Sequence, residues 1–299
     1  MPQGLIVKAL SGYYYVRPDE GTDIVQCRAR GIFKKRGESP LVGDRVDFEL
    51  TENGEGTVVT LHPRRTELIR PPVANIDLAV LVFSVAEPDL NLQLLDKFLV
   101  HTEQAGLDTV IVLSKIDLVR QADRLPEEIE QARRLYESIG YEVIPLSARE
   151  GGDGVERVRK RLAGSIAVFS GQSGVGKSSL LNAIVPGLTL ETSEISHRLG
   201  RGRHTTRHVE LVQLPGGGYV ADTPGFSQLD FLSLEPEDLG AMFREFRGLS
   251  AGCRFRGCLH SKEPGCAVRQ AVEEGTAAES RYRHYLSFLE EMKERRRRY

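Results

Sequence analysis

The chain reads as an α/β fold of the phosphate-loop type, with a small β-barrel before it and a short helical, cysteine-bearing segment after it. Three observations predict this. Apolar strands alternate with amphipathic helical stretches from Asn75 to about Asp230, the signature of a parallel sheet covered by helices. A strand there runs into Gly171-Gln172-Ser173-Gly174-Val175-Gly176-Lys177-Ser178 and then a helix, the strand-loop-helix setting in which GxxxxGK[ST] cradles phosphate. Upstream lie five short β-type runs, and downstream are three cysteines and a histidine within 14 residues.

The five runs are Leu5 to Leu10, Tyr13 to Arg17, Asp23 to Arg28, Arg45 to Leu50 and Thr57 to Leu61. Turn residues at Ser11-Gly12, Pro18 to Gly21, Gly37 to Pro40 and Asn53 to Gly56 separate them. Residues 1–65 therefore suit an OB-type barrel, a scaffold that presents a face and loops to oligonucleotides. Tyr13, Tyr14 and Tyr15 lie in the second run, and Arg28, Arg30, Lys34, Lys35 and Arg36 form an acid-free stretch. Together they offer aromatic and cationic contacts to RNA, although alternate tyrosines in a strand more often pack inward. Pro63 to Pro72 reads as a linker.

In residues 66–230, Ile76 to Val85 is a buried strand and Leu90 to Gln104 a helix with Leu94, Leu95, Phe98 and Leu99 able to share one face. Thr109 to Leu113, Tyr141 to Pro145, Ile166 to Phe169 and Tyr219 to Ala221 are further strands. Pro126 to Ile139, Val155 to Leu162 and Ser179 to Ile184 are helices.

The phosphate loop needs each of its residue types. Its glycines let backbone N–H groups converge on phosphate oxygens, and the following helix N-terminus adds a favourable dipole. Gly171, Gln172, Ser173, Gly174, Val175, Gly176, Lys177, Ser178 and Ser179 are the expected nucleotide contacts, with Lys177 on the β and γ phosphates and the Ser178 hydroxyl on Mg²⁺. Downstream, Asp222-Thr223-Pro224-Gly225 ends a strand. Asp222 is expected to hold Mg²⁺ and the Gly225 N–H to sense the γ phosphate. Between the two motifs, Thr206, or else Thr205, is placed to ligate Mg²⁺ and order its segment only when the γ phosphate is present.

The base is chosen upstream, at Ser114-Lys115-Ile116-Asp117 after a strand. A carboxylate at Asp117 can accept from guanine N1–H and the 2-amino group, a pair adenine lacks, which disfavours an ATPase. Lys115 is expected over the ring, and the backbone of Ser147-Ala148-Arg149 near guanine O6.

In residues 231–299, Cys253, Cys258, His260 and Cys266 supply four N/S ligands at the short spacing of a structural Zn²⁺ site. A disulfide arrangement is disfavoured because three clustered cysteines leave one over and Cys27 lies far away. From Arg281 to Tyr299 there are seven basic and three acidic residues.

Net charge is −2, from 40 Lys and Arg against 42 Asp and Glu, so only local basic stretches argue for a polyanionic partner. A second such stretch holds Arg198, Arg201, Arg203 and Arg207. With 40% hydrophobic and 27% charged residues the chain is ordinary globular protein. No apolar run approaches the roughly 20 residues a bilayer demands, and the N-terminus does not read as a signal peptide, so the expected compartment is the cytoplasm.

These motifs resemble those of translation-factor-type GTPases in a different order, because the base motif and Ser147-Ala148-Arg149 precede the phosphate loop. That order is a circular permutation, and a permuted GTPase domain between a barrel and a cysteine cluster resembles the RsgA family of GTPases of small ribosomal subunit biogenesis. The resemblance implies an α/β P-loop GTPase domain, circularly permuted, with an N-terminal OB-type β-barrel and a C-terminal helical zinc-binding domain. It implies GTP and GDP as substrate and product, Mg²⁺, one structural Zn²⁺, a monomer, and the small ribosomal subunit and its rRNA as partners. An RNA-binding assembly scaffold that senses GTP or GDP with negligible turnover is the alternative. Phe226 follows Gly225 where Ras-like enzymes place a water-orienting glutamine, so intrinsic hydrolysis should be slow. His204, beside Thr205 and Thr206, is then the candidate to orient the attacking water. Ser114 stands where Asn is usual, with an expected loss of loop-bracing contacts, and Gly174 gives no support to activation by monovalent cations.

Overall fold

The computed structural model describes residues 1–69, 72–121, 124–185, 209–221, 229, 231 and 234–298. Strands β1 (Gln3–Leu10), β2 (Tyr13–Pro18), β3 (Val25–Ala29), β4 (Arg45–Leu50) and β5 (Gly56–Leu61) close a barrel in the order β1-β2-β3-β5-β4. Period-two alternation sends Ile6, Val16, Cys27, Val46, Phe48 and Val58 inward, all at most 1% exposed. The basic stretch after β3 is not simple coil. It holds a one-turn helix, α1 (Gly31–Lys35), that buries Phe33 and leaves Lys34, Lys35 and Arg36 exposed.

The expected linker is instead a fastened junction. Arg64 grips the fully buried Asp44 with two bonds, Nε to Oδ1 and a terminal nitrogen to Oδ2, each 2.8 Å. Short strands β6 (Glu67–Ile69) and β7 (Pro72–Ala74) pair antiparallel. Ala74 N–H donates to Val42 O at 2.9 Å, and the Asn75 amide donates to Gly43 O at 2.9 Å. Gly43 is required here: its φ is +91°, and a Cβ would lie 2.0 Å from Ala74 O.

The central sheet has six strands in the order β10-β9-β8-β11-β13-β12. Its members are β8 (Leu78–Ser84), β9 (Asp108–Ser114), β10 (Glu142–Pro145), β11 (Ile166–Ser170), β12 (Leu211–Gln213) and β13 (Tyr219–Ala221), all parallel except β12. Both faces of β8 are covered, so it reads as a continuous apolar run. Ala79, Leu81 and Phe83 join the core under α2 (Leu92–Gln104) and α3 (Glu127–Ser138), while Leu78, Val80 and Val82 join the core under α4 (Asp153–Leu162) and α5 (Lys177–Ile184). The Asn91 side chain caps α2 by accepting from Leu94 N–H at 2.9 Å. The barrel meets the other sheet edge, where Lys8 of β1 bridges Glu210 just ahead of β12, with a 2.8 Å ion pair.

The C-terminal module holds α6 (Arg244–Ser250), α7 (Ala267–Glu273) and α8 (Glu279–Arg298). Its core of Phe231, Phe243, Phe246, Tyr285 and Phe288 includes Val100 of α2. Arg281, 1% exposed, sits between Asp96 of α2, which it reaches through Nη1, and Glu245 of α6. Asp96 also accepts from Tyr136 OH at 2.7 Å and pairs with His284 at 2.6 Å. Removing one partner of such a buried network costs about 3–5 kcal/mol, because it strands the others without water. Module and sheet domain are thus locked along α2. Among the described residues no helix is long and apolar enough to cross a membrane.

Candidate functional site

In a parallel sheet, ligands bind beyond the carboxyl ends of the strands. Strands β9, β10 and β11 run in the same direction, so the loops after them, which carry Ser114 to Asp117, Ser147 to Arg149 and Gly171 to Ser178, emerge at one edge. β13 lies beside β11 and ends at Ala221, one residue before Asp222.

The phosphate loop has the backbone its sequence demands. Gly171, Gly174 and Gly176 have φ of +145°, +80° and +96°. At Gly171 a Cβ would also lie 2.1 Å from Val82 O, so no side chain fits. Val175 is buried in the core under α5 and anchors the loop, while Ser173 and Gly174 are exposed. Gln172 and Ser179 are half-buried, and Ser178 is buried at the first turn of α5. Lys177 Nζ donates to Gly171 O at 2.8 Å and Gln172 O at 2.6 Å. Burial lowers its pKa to about 8, since desolvation penalises the ammonium.

The base-motif loop is joined to the phosphate loop. The buried Ser114 hydroxyl reaches Val175 O at 2.5 Å and Phe83 O at 3.3 Å. The shorter serine side chain thus still braces the phosphate loop, through its bond to Val175 O. Lys115, in the left-handed region at φ +61°, donates through Nζ to Glu87 O. Asp117 is half-buried in the 3₁₀ turn Ile116–Leu118. Ile116 N–H donates to Leu146 O at 3.4 Å, tying this turn to the neighbouring loop. In that loop Ser147 is buried, its hydroxyl accepts from Glu150 N–H at 3.2 Å, and Ala148 is half-buried. His204, Thr205, Thr206, Asp222, Gly225 and Phe226 lie outside the described residues, as do Arg198, Arg201, Arg203 and Arg207.

The second cluster lies between α6 and α7. The ligand atoms of Cys253, Cys258, His260 and Cys266 all lie within 4.8 Å of one another. Cys253 Sγ is 3.6 Å from His260 Nδ1 and 4.0 Å from Cys266 Sγ, and His260 Nδ1 is 3.4 Å from Cys266 Sγ. Zinc–sulfur bonds of about 2.3 Å in a tetrahedron separate ligands by roughly 3.8 Å, so donor types and spacing fit Zn²⁺. Ser250, which sequence reasoning did not single out, completes the arrangement. Its hydroxyl donates to Phe246 O at 2.7 Å and lies 3.2 Å from His260 Nε2. With its proton so committed, the hydroxyl accepts from Nε2–H and leaves Nδ1 free to ligate. Tyr282 and Tyr285 donate to the carbonyls of His260 and Leu259, each at 2.7 Å. Cys27 is buried in the barrel, apart from this cluster.

Comparison with known proteins agrees with this architecture. The family described as RsgA GTPase matches residues 61–232, and the RsgA N-terminal domain matches residues 3–58. Proteins named small ribosomal subunit biogenesis GTPase RsgA are 52% identical over 299 residues in Shouchella clausii and 53% identical over 299 residues in Geobacillus thermodenitrificans, covering 100% of both chains in each case. The crystal structure of YloQ, a circularly permuted GTPase, superposes with a TM-score of 0.85 at 42% identity, covering 99% of this chain and 96% of that one. YjeQ from Thermotoga maritima gives 0.86 at 37% identity, covering 97% and 98%. The two family models together span residues 3–232 apart from 59 and 60, the relatives match over the whole length, and the chain belongs to the RsgA GTPase family.

Proposed function

We propose that this protein hydrolyses GTP to GDP and phosphate as a switch in maturation of the small ribosomal subunit, the process for which its relatives are named. The observation that carries the reading is the contact between Ser114 and Val175, which holds a guanine-type base motif against a phosphate loop. Asp117 accepts from guanine, Lys115 covers the ring and the Ser147 and Ala148 backbone faces O6. The loop N–H groups from Gly171 to Ser179 hold the phosphates, and Lys177 leaves the carbonyls of Gly171 and Gln172 to share its ammonium with the β and γ oxygens. Ser178 with Thr206 and Asp222 would hold Mg²⁺, which neutralises phosphate charge when bound. His204 orients the attacking water.

Cys253, Cys258, His260 and Cys266 hold one Zn²⁺, which supplies folding energy to a loop with few apolar residues. The barrel, residues 1–65, and the module from residue 231 onward dock rRNA on either side of the GTPase domain. On the barrel, Tyr13 and Arg28 form one joined aromatic and cationic surface, with the guanidinium 4.7 Å from the ring centroid.

Single-turnover GTP hydrolysis with and without purified small subunits tests the reading. Subunits should accelerate it strongly, and high salt should abolish the effect, because phosphate contacts are salt-sensitive. Turnover indifferent to subunits would leave only a nucleotide-sensing scaffold.

A further inference from the structure

Nine of the ten described phenylalanines are buried. Phe255 is the tenth, 46% exposed, on the turn between Cys253 and Cys258. The five buried aromatic residues of the module's core, Phe231, Phe243, Phe246, Tyr285 and Phe288, form a cluster of which Phe255 is not a member. Arg254 and Arg256 flank it and are exposed. The Arg254 guanidinium lies 5.5 Å from the Phe255 ring centroid, and neither arginine forms an ion pair among the described residues. The turn is held firmly. Arg254 N–H donates to Gly265 O at 3.0 Å, Gly257 takes φ +70°, and a Cβ at Gly265 would lie 3.2 Å from Arg254 Cβ.

Local charge selects the partner. Between Ser250 and Cys266 the basic residues are Arg254, Arg256 and Lys262, and the sole acid is Glu263. Its carboxylate is already taken up by the N–H groups of Leu259, Ser261 and Lys262, at 3.1, 2.8 and 3.0 Å. An exposed ring between two exposed guanidinium groups, on a turn braced at its base, matches an unpaired nucleobase with a phosphate on each side.

We propose that Phe255 is a stacking platform for one unpaired base of RNA, with Arg254 and Arg256 on the adjoining phosphates. The proposal rests on the reading that the partner is a ribosomal particle, and it names the contact made by one turn of the module.

The test uses the full-length protein, GTP analogue and purified small subunits. Phe255→Leu keeps the apolar volume and removes the π face. It should bind subunits about tenfold more weakly, with Phe255→Tyr restoring affinity and with zinc content and GTP affinity unchanged in both. A photoreactive benzoylphenylalanine at position 255 should crosslink to RNA. Undiminished binding by Phe255→Leu, or a crosslink to a ribosomal protein, overturns the stacking proposal while leaving subunit-stimulated hydrolysis intact as the functional reading. Wild-type protein that binds no subunits overturns both.

Discussion

The hydroxyl of Ser114 donates to the carbonyl oxygen of Val175, 61 residues further along the chain. Two loops that the permutation has reversed in order are thereby held as one surface. Replacing Ser114 with Ala removes the bond and leaves Val175 O without that donor. GTP and GDP affinity should fall about threefold to tenfold, the range of an ordinary hydrogen bond, with the preference for guanine over adenine retained. Titration with fluorescent guanine and adenine nucleotides measures both quantities.

Guanine selectivity is expected to reside in Asp117. In Asp117→Asn the side-chain amide can donate to the 2-oxo group of xanthine, where the carboxylate accepted from the 2-amino group of guanine. Binding of GTP should weaken and that of xanthosine triphosphate improve. An undiminished GTP preference in competition binding refutes the assignment.

Nucleotide binding should weaken at alkaline pH because of Lys177. Burial sets its pKa near 8 in the free protein, and a bound polyphosphate favours the ammonium and raises that value. Binding therefore takes up a proton above pH 8, and affinity declines by up to about tenfold per pH unit. Below pH 8 the lysine is already charged, so its contribution to the pH dependence vanishes. Calorimetry in buffers of different ionisation enthalpy would detect the proton uptake.

Zinc retention should depend on a residue that never touches the metal. Ser250→Ala leaves His260 Nε2–H without its acceptor, and loss of such an orienting partner lowers metal affinity about tenfold or more. Cys258→Ala should lose the metal and subunit binding while keeping GTP. Chelator competition ranks the three proteins, and equal retention by Ser250→Ala and wild type dismisses the orienting role.

His204→Ala should bind GTP and small subunits as wild type does yet lose most of the subunit-stimulated rate. Single-turnover hydrolysis at saturating subunits decides the matter. A variant stimulated as strongly as wild type removes His204 from the chemistry.

The parts of the fold legible in the sequence are those where physics leaves few options. Alternation marks the barrel strands, continuous apolar runs mark β8 and β9, and Gly171 stands where Val82 O excludes any Cβ. The helix α1 was hidden because its five residues contain one buried side chain among lysines. Strands β6 and β7, three residues each, are too short to show a period. Nothing in the sequence singles out Asp96 and Arg281 as partners, and only packing across 185 residues of sequence reveals them as a buried pair. At the metal cluster, ligand spacing was readable, but a single serine hydroxyl on a neighbouring helix has no signature.

The junction between barrel and sheet has a consequence for dissecting the protein. A fragment ending at residue 65 retains Arg64 and its hold on Asp44, but it discards Ala74, whose N–H serves Val42 O, and Asn75, whose amide serves Gly43 O. Val42 and Gly43 are buried, so both carbonyls would be left to find water through a newly exposed apolar seam. An autonomous barrel must carry the β6–β7 ribbon with it, and its natural cut lies beyond Asn75, inside what sequence boundaries assign to the next domain.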